Sequence, residues 1–270
     1  MRFWHLIGTF LRIGILNELQ YRVNFFIQVL QSFIALGTGL VGLALVFEHT
    51  PNLAGWTRPE LLAVMGVHIL MGGLIQAAIT PNMGRLMGDI QDGTLDFALT
   101  KPVDAQLIIS IREFRLWQLV DVLMGLVVLG YASIEIQTRL QAGETLGIGS
   151  VLPVLLFLIA LLLGGVMVYS FWLILTCTAF WVVRVDEMIN LFQGLYAAGR
   201  YPVGIYPRWL RTGLTFLVPV AFAVTVPAEA LTARLTPLTL LGTLGLTILF
   251  MLLARLVWRL GVRNYSGASA

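Results

Sequence analysis

The feature that most constrains this chain is the length of its uncharged runs. Thr145 to Val183 contains no Asp, Glu, Lys or Arg. Val23 to Phe47, Leu61 to Gly84 and Leu235 to Ala254 are also free of charge, and Leu116 to Ile134 is interrupted only by Asp121. Each approaches or exceeds the roughly 20 residues that a helix needs to cross the hydrocarbon of a bilayer. Charged residues make up 11% of the chain and hydrophobic residues 58%. Soluble domains carry about 25% charge, so these residues cannot clothe a water-facing surface. Disorder is excluded by the same imbalance. A disulfide scaffold is excluded because Cys177 is the only cysteine.

The expectation is an all-α, polytopic membrane protein. Five spans follow from the runs: 23–47, 61–82, 107–134, 151–181 and 236–258. The stretch from Arg184 to Arg234 is ambiguous. Met188 to Gly199 is apolar, and Thr212 to Ala228 is apolar again but holds Pro219 and Pro227. Both ends of the chain are basic, with Arg2, Arg12 and Arg22 at one and Arg255, Arg259 and Arg263 at the other. Positive flanks stay cytoplasmic, so an even number of spans is expected and only one of the two halves crosses. Charge alone does not decide which; the prolines suit broken helices that dip into the membrane and return, shielded by protein.

Residues 1–21 read as an amphipathic interfacial helix. Phe3, Leu6, Ile7, Phe10 and Ile13 form an apolar stripe, with Arg2, His5, Thr9 and Arg12 off it. Arg12 interrupts the stretch and no cleavage site follows it, so a signal peptide is not expected. Between the second and third spans, Arg85 to Arg115 is the longest polar stretch. It contains Asp89, Asp92, Asp96, Asp104 and Glu113, and Pro102 divides it.

Enzyme chemistry finds little support. Lys101 is the only lysine and no glycine-rich loop precedes it, so a phosphate-binding loop is absent. Asp89, Asp92 and Asp96 recur at i, i+3 and i+7. That spacing suits either a magnesium-diphosphate site or a solvated helix, and no basic phosphate clamp accompanies it. His5, His49 and His68 fall on different elements without metal-ligand spacing. The better pointers are polar residues at membrane depth: Gln76, Asp121, Asn190, Gln193 and Arg200. Ionisable groups there cost several kcal/mol unless paired or wet, so they mark a bundle interior or a pathway. Asp121 either pairs with Arg200 or snorkels towards Arg112 and Arg115.

Three stretches resemble the permease subunits of ABC-2 type ABC transporters, in particular the short six-span permeases that pair with a separate ATPase. They are Gly88 to Val103 (GDIQDGTLDFALTKPV), Tyr201 to Phe222 with its repeated prolines, and the tail from Trp258 to Ala270. The resemblance implies a fifth span at 188–205 and an extracellular re-entrant segment at 207–234, giving six spans. It implies that 85–104 is a cytoplasmic coupling region, with Arg85, Asp89, Ile90, Asp92, Leu95 and Asp96 meeting the ATPase. Gln76, Asp121, Gln193 and Arg200 become candidates for the translocation pathway. The family further implies a bacterial cytoplasmic membrane, cytoplasmic termini, a second permease chain of the same or a related kind, and surrounding lipid. No cofactor is expected in this chain, because ATP and magnesium bind the ATPase, and no nucleic acid is implied. Export of an amphipathic or hydrophobic substrate is expected. The rival reading is an ion-coupled secondary transporter using Asp121 and Arg200.

Overall fold

The computed structural model describes residues 22–141, 151–181 and 186–265, together with Gly8 and Arg12. The expected interfacial helix at 1–21 therefore lies almost wholly outside the described residues, and so does the end of the tail. Helix α1 spans Arg22–His49. Helix α2 spans Arg58–Gln91, α3 Asp96–Leu99 and α4 Ala105–Ile111. Helix α5, Leu119–Gln141, follows a 3-10 turn at Leu116–Gln118. Helix α6, Val151–Cys177, ends in another such turn, and α7 is Asp186–Ala197. Helices α8, Arg208–Leu217, and α9, Ala221–Leu231, meet at a bend of 79°. Helix α10 spans Pro237–Asn264.

Five of these helices are long and apolar enough to cross a bilayer, or six if the bent pair counts as one. The chain is an all-α polytopic membrane protein. Helix α2 is its centre. Of its most apolar stretch 61% is buried, against 17% to 28% for the other four long helices. Those four turn most of their apolar surface outward, as helices in lipid do, since lipid tails are as apolar as leucine. Small residues bring α5 tightly against α2. A methyl group placed on Gly125 would stand 2.5 Å from the backbone nitrogen of Leu70, and one on Gly66 would meet Leu129 at 2.8 Å. Gly164 of α6 admits the Phe222 carbonyl of α9 in the same way, at 2.5 Å.

Helix α2 begins at a Thr57 cap, whose N–H donates to the Glu60 carboxylate at 2.7 Å, with Pro59 in the first turn. It runs for 34 residues, about 50 Å at 1.5 Å per residue. That exceeds a hydrocarbon core of about 30 Å, so the helix continues past the expected boundary at residue 82. Gly93, at φ +71°, stops the chain from continuing as a helix beyond Asp92. Asp89, Asp92 and Asp96 consequently do not share a helix face. Asp89 belongs to α2, Asp92 ends it, and Asp96 opens α3.

Polar ties close both ends of the bundle. At one end Arg234 donates through Nε and Nη2 to the two Glu60 oxygens, each at 2.8 Å, and lies 4.7 Å from the centre of the Trp56 ring. At the other end the Leu95 N–H donates to the Tyr265 hydroxyl at 3.2 Å, and Arg255 forms an ion pair with Asp104. The first described helix begins, and the last ends, at this second end, where the 92–115 connection also lies.

Two expected boundaries differ from the structure. The third span was expected at 107–134, but the chain leaves helix between Ile111 and Leu116. The fifth was expected to run to Ile205, but helix stops at Arg200. Tyr201 is extended (φ −117°, ψ 152°) because the ring of Pro202 disfavours a helical residue before it.

Candidate functional site

The interruption at 112–115 originates in Pro81. Proline has no N–H, so it cannot donate to the carbonyl four residues back, that of Ala77. The helix accommodates this with a π-turn over Ile75–Ile79. The Ala77 carbonyl instead accepts from the Arg115 N–H, at 2.9 Å. Asn82, 0% exposed, completes the junction. Its Nδ2 donates to the carbonyls of Ala78 and Glu113, both at 2.7 Å. Its Oδ1 accepts from the N–H groups of Arg112 and Glu113, at 3.1 and 3.0 Å. Four hydrogen bonds are the full capacity of a carboxamide. One side chain thus ties the start of the third span to the second.

Beside the π-turn lies a cavity of about 300 Å³ between α1, α2, α5 and α7. Gln76 from α2, Asp121 from α5, Gln193 from α7 and Arg200 from the turn after α7 all line it. The structure thus brings four of the five polar residues selected from the sequence to one space, the Asn190 side chain lying outside what is described. It does not pair the two charges. Asp121 is held by α1: Gln28 Nε2 donates to Oδ2 at 2.9 Å and the Ser32 hydroxyl donates to Oδ1. Gln118 Nε2 steadies Gln28 through its Oε1, at 3.2 Å. The Arg200 side chain makes no ion pair or hydrogen bond among the described residues. His68 stacks on Tyr196 with ring centres 4.7 Å apart, and the Tyr196 hydroxyl donates to the His68 carbonyl at 2.8 Å. Leu36, Ile69 and Phe192 supply apolar walls. Sequence reasoning missed Gln28 and Ser32. Their four-residue spacing in an otherwise apolar helix, one turn apart on one face, was the available signal.

The expected coupling residues divide into two groups. Arg85 and Asp92 are exposed and Asp96 is half-buried. Arg85 pairs with Glu113, whose hydrogen bond raises the guanidinium pKa further. Asp89 instead forms an ion pair with Arg112, at 2.5 Å with both side chains mostly buried. Ile90 is 9% exposed and Leu95 0%. Both are turned into the core, so they support the surface and do not form it. Phe97, at 76% exposure, stands beside the acids and was not selected from the sequence. An isolated exposed phenylalanine between charges is a recognisable docking feature, but its exposure follows from the Gly93 turn and α3.

A family model described as ABC-2 family transporter protein matches residues 33–269. The chain belongs to this ABC-2 transporter family. The match covers the Asn82 junction, the bent pair, the last helix and the cavity lining apart from Ser32. No curated protein and no solved structure matches the chain. Membership makes this multi-pass ABC-2 protein a transport subunit, of a kind that generally works with ABC ATPase subunits.

Proposed function

We propose that this ABC-2 protein is the permease subunit of an exporter driven by ATP hydrolysis on separate ATPase subunits, where ATP and magnesium bind. The single observation behind the reading is the continuity of α2. One helix lines the cavity through Gln76 and ends at the acidic turn of Asp92, with the Asn82 junction attaching the Asp121 helix to it. Movement applied at the acidic turn therefore reaches two walls of the cavity at once, which is the coupling an ATP-driven carrier requires. In this reading Arg85, Asp92, Asp96 and Phe97 face the ATPase, and a second permease chain, identical or related, completes the pathway. The chain sits in a bacterial cytoplasmic membrane with both termini in the cytoplasm.

The bent pair is read as a re-entrant hairpin. Arg211 on α8 and Arg234 beyond α9 both lie within electrostatic reach of Glu229, and Arg234 is tied to Glu60 at the start of α2. Both outer limbs therefore belong at one end of the bundle, the extracellular end in this orientation. The fifth crossing is then α7 with the turn that follows it.

The test is reconstitution with the ATPase in proteoliposomes. Replacing Asp92 and Asp96 with Lys is expected to abolish ATP-dependent transport while the permease remains folded and the ATPase retains basal turnover. Unchanged ATP-dependent transport would overturn the coupling assignment. Gradient-driven flux without the ATPase, lost in Asp121→Asn, would favour an ion-coupled carrier instead.

A further inference from the structure

The cavity holds two opposite charges that do not neutralise each other, and α2 sets their offset along its axis. A methyl placed on Gly73 would stand 3.0 Å from the Asp121 Cβ, so Asp121 lies level with Gly73. A methyl on Gly199 would stand 3.5 Å from His68 Nδ1, and Arg200 lies within electrostatic reach of that ring. Arg200 therefore lies level with His68. Five residues of helix separate the two levels, about 7–8 Å along the axis. Asp121 is nearer the end that holds the 92–115 connection, and Arg200 nearer the end that holds Glu60.

Charges at this depth are costly unless matched. Asp121 has neutral donors, which a cationic donor would outbid, since charge-assisted hydrogen bonds are roughly twice as strong. Arg200 has no partner among the described residues. A ligand with one charge answers one of these groups and leaves the other unmatched. A ligand with a cation and an anion on one short headgroup answers both. The apolar walls of Leu36, Ile69 and Phe192 suit a hydrocarbon body beside that headgroup.

We propose that this cavity binds a zwitterionic, lipid-like amphiphile, with its ammonium group on Asp121 and its phosphate or carboxylate on Arg200. The proposal rests on the transport reading for its direction of travel but concerns the site alone. Tyr196, fixed by its hydrogen bond to the His68 carbonyl and set against Gly72, lines the cavity between the two levels.

The test uses the full chain in uncharged maltoside micelles and radiolabelled lysophosphatidylethanolamine as the probe. Competitors are the unlabelled probe, lysophosphatidic acid, an alkylamine of matched chain length, a monoacylglycerol, and tail-less phosphoethanolamine. The zwitterion is expected to compete about tenfold more strongly than each relative that carries charge of one sign or none. Phosphoethanolamine is expected to fail at the same concentrations, since it lacks the apolar body. Asp121→Asn should erase the preference over lysophosphatidic acid, and Arg200→Gln the preference over the alkylamine. Equal competition by all the tailed compounds overturns the proposal, as does an unchanged preference in both variants. If either variant fails to fold, the competition series on the unmodified chain decides. A zwitterion preference without any effect on ATP hydrolysis by the assembled transporter would refute the transport reading and leave the site standing. ATP-driven transport indifferent to headgroup charge would do the reverse.

Discussion

Replacing Asn82 with alanine removes four hydrogen bonds from a side chain that is 0% exposed. The Arg112 and Glu113 N–H groups and the Glu113 carbonyl lose their protein partner. The Ala78 carbonyl lies within α2, four residues before Asn82, and is left out of this sum. Each group left unsatisfied costs about 1–3 kcal/mol when buried. Arg112 and Glu113 are only partly buried, so water recovers a share and the junction loses about 2–4 kcal/mol in all. Because 1.4 kcal/mol is tenfold, exchange of the two amides with deuterium should quicken by roughly 30- to 1,000-fold. Mass spectrometry of peptides covering 110–116, from protein in nanodiscs, reads this directly. Asn82→Asp keeps the acceptors for both N–H groups but sets a carboxylate oxygen against two carbonyls, so it should not restore the wild-type rate. Amide protection within twofold of wild type in Asn82→Ala would show that the junction is held by something other than this side chain.

Other expectations follow from single contacts. Gly125→Leu should separate α5 from α2 and destabilise the fold by about 1–3 kcal/mol, as overpacking does, read as a lowered melting temperature in detergent; no change would mean the helices are not in contact there. The hydrogen bond from Arg255 holds the Asp104 carboxyl below its ordinary pKa. A depressed pKa contributes stability above the unfolded value of about 3.9 and loses it as pH falls through the folded value. The pair is exposed, so the contribution is under about 1 kcal/mol. Asp104→Asn, which keeps the helix cap, should melt about 1–3 °C below wild type at pH 7, and the difference should shrink as pH falls below the unfolded value and through the folded one. Trp209→Cys should react with an impermeant maleimide added outside intact cells; labelling only after the cells are opened would reverse the assignment of the hairpin. Phe97→Asp should weaken copurification of the ATPase without altering the melting temperature, and undiminished copurification would remove Phe97 from the contact surface.

The long helices were legible because their charge-free runs report directly on burial in lipid. Val23 to Phe47 and Leu235 to Ala254 mark α1 and α10 to within a few turns. The boundary of the third span was not legible. It depends on Pro81 freeing a carbonyl and Asn82 satisfying three backbone groups some thirty positions away, and neither residue signals a distant partner. The end of the fifth span was available from Pro202, which the expected boundary at Ile205 ran past. Polar type and depth singled out Gln76, Asp121, Gln193 and Arg200, and the fold collects them. Their actual neighbours were hidden, because Gln28 and Ser32 gain meaning only once α1 lies against α5. The family resemblance put Ile90 and Leu95 on the contact surface, whereas the inner face of α2 buries Ile90 and the chain after the Gly93 turn buries Leu95.

The close glycine contacts between α2 and α5 have a mechanical consequence. Helices so close that an added methyl would stand under 3 Å from the neighbouring helix, as at Gly66, Gly73 and Gly125, have no room to slide. They form a fixed jaw, and Asp121 belongs to it. Helix α7 with Arg200 faces this jaw across the cavity, while α1 is tied to Asp121 through Gln28 and Ser32; in the proposed transport cycle α7 is the jaw that moves. The two charges therefore sit on opposite jaws, and the spacing between them is a gauge of how far the bite has opened.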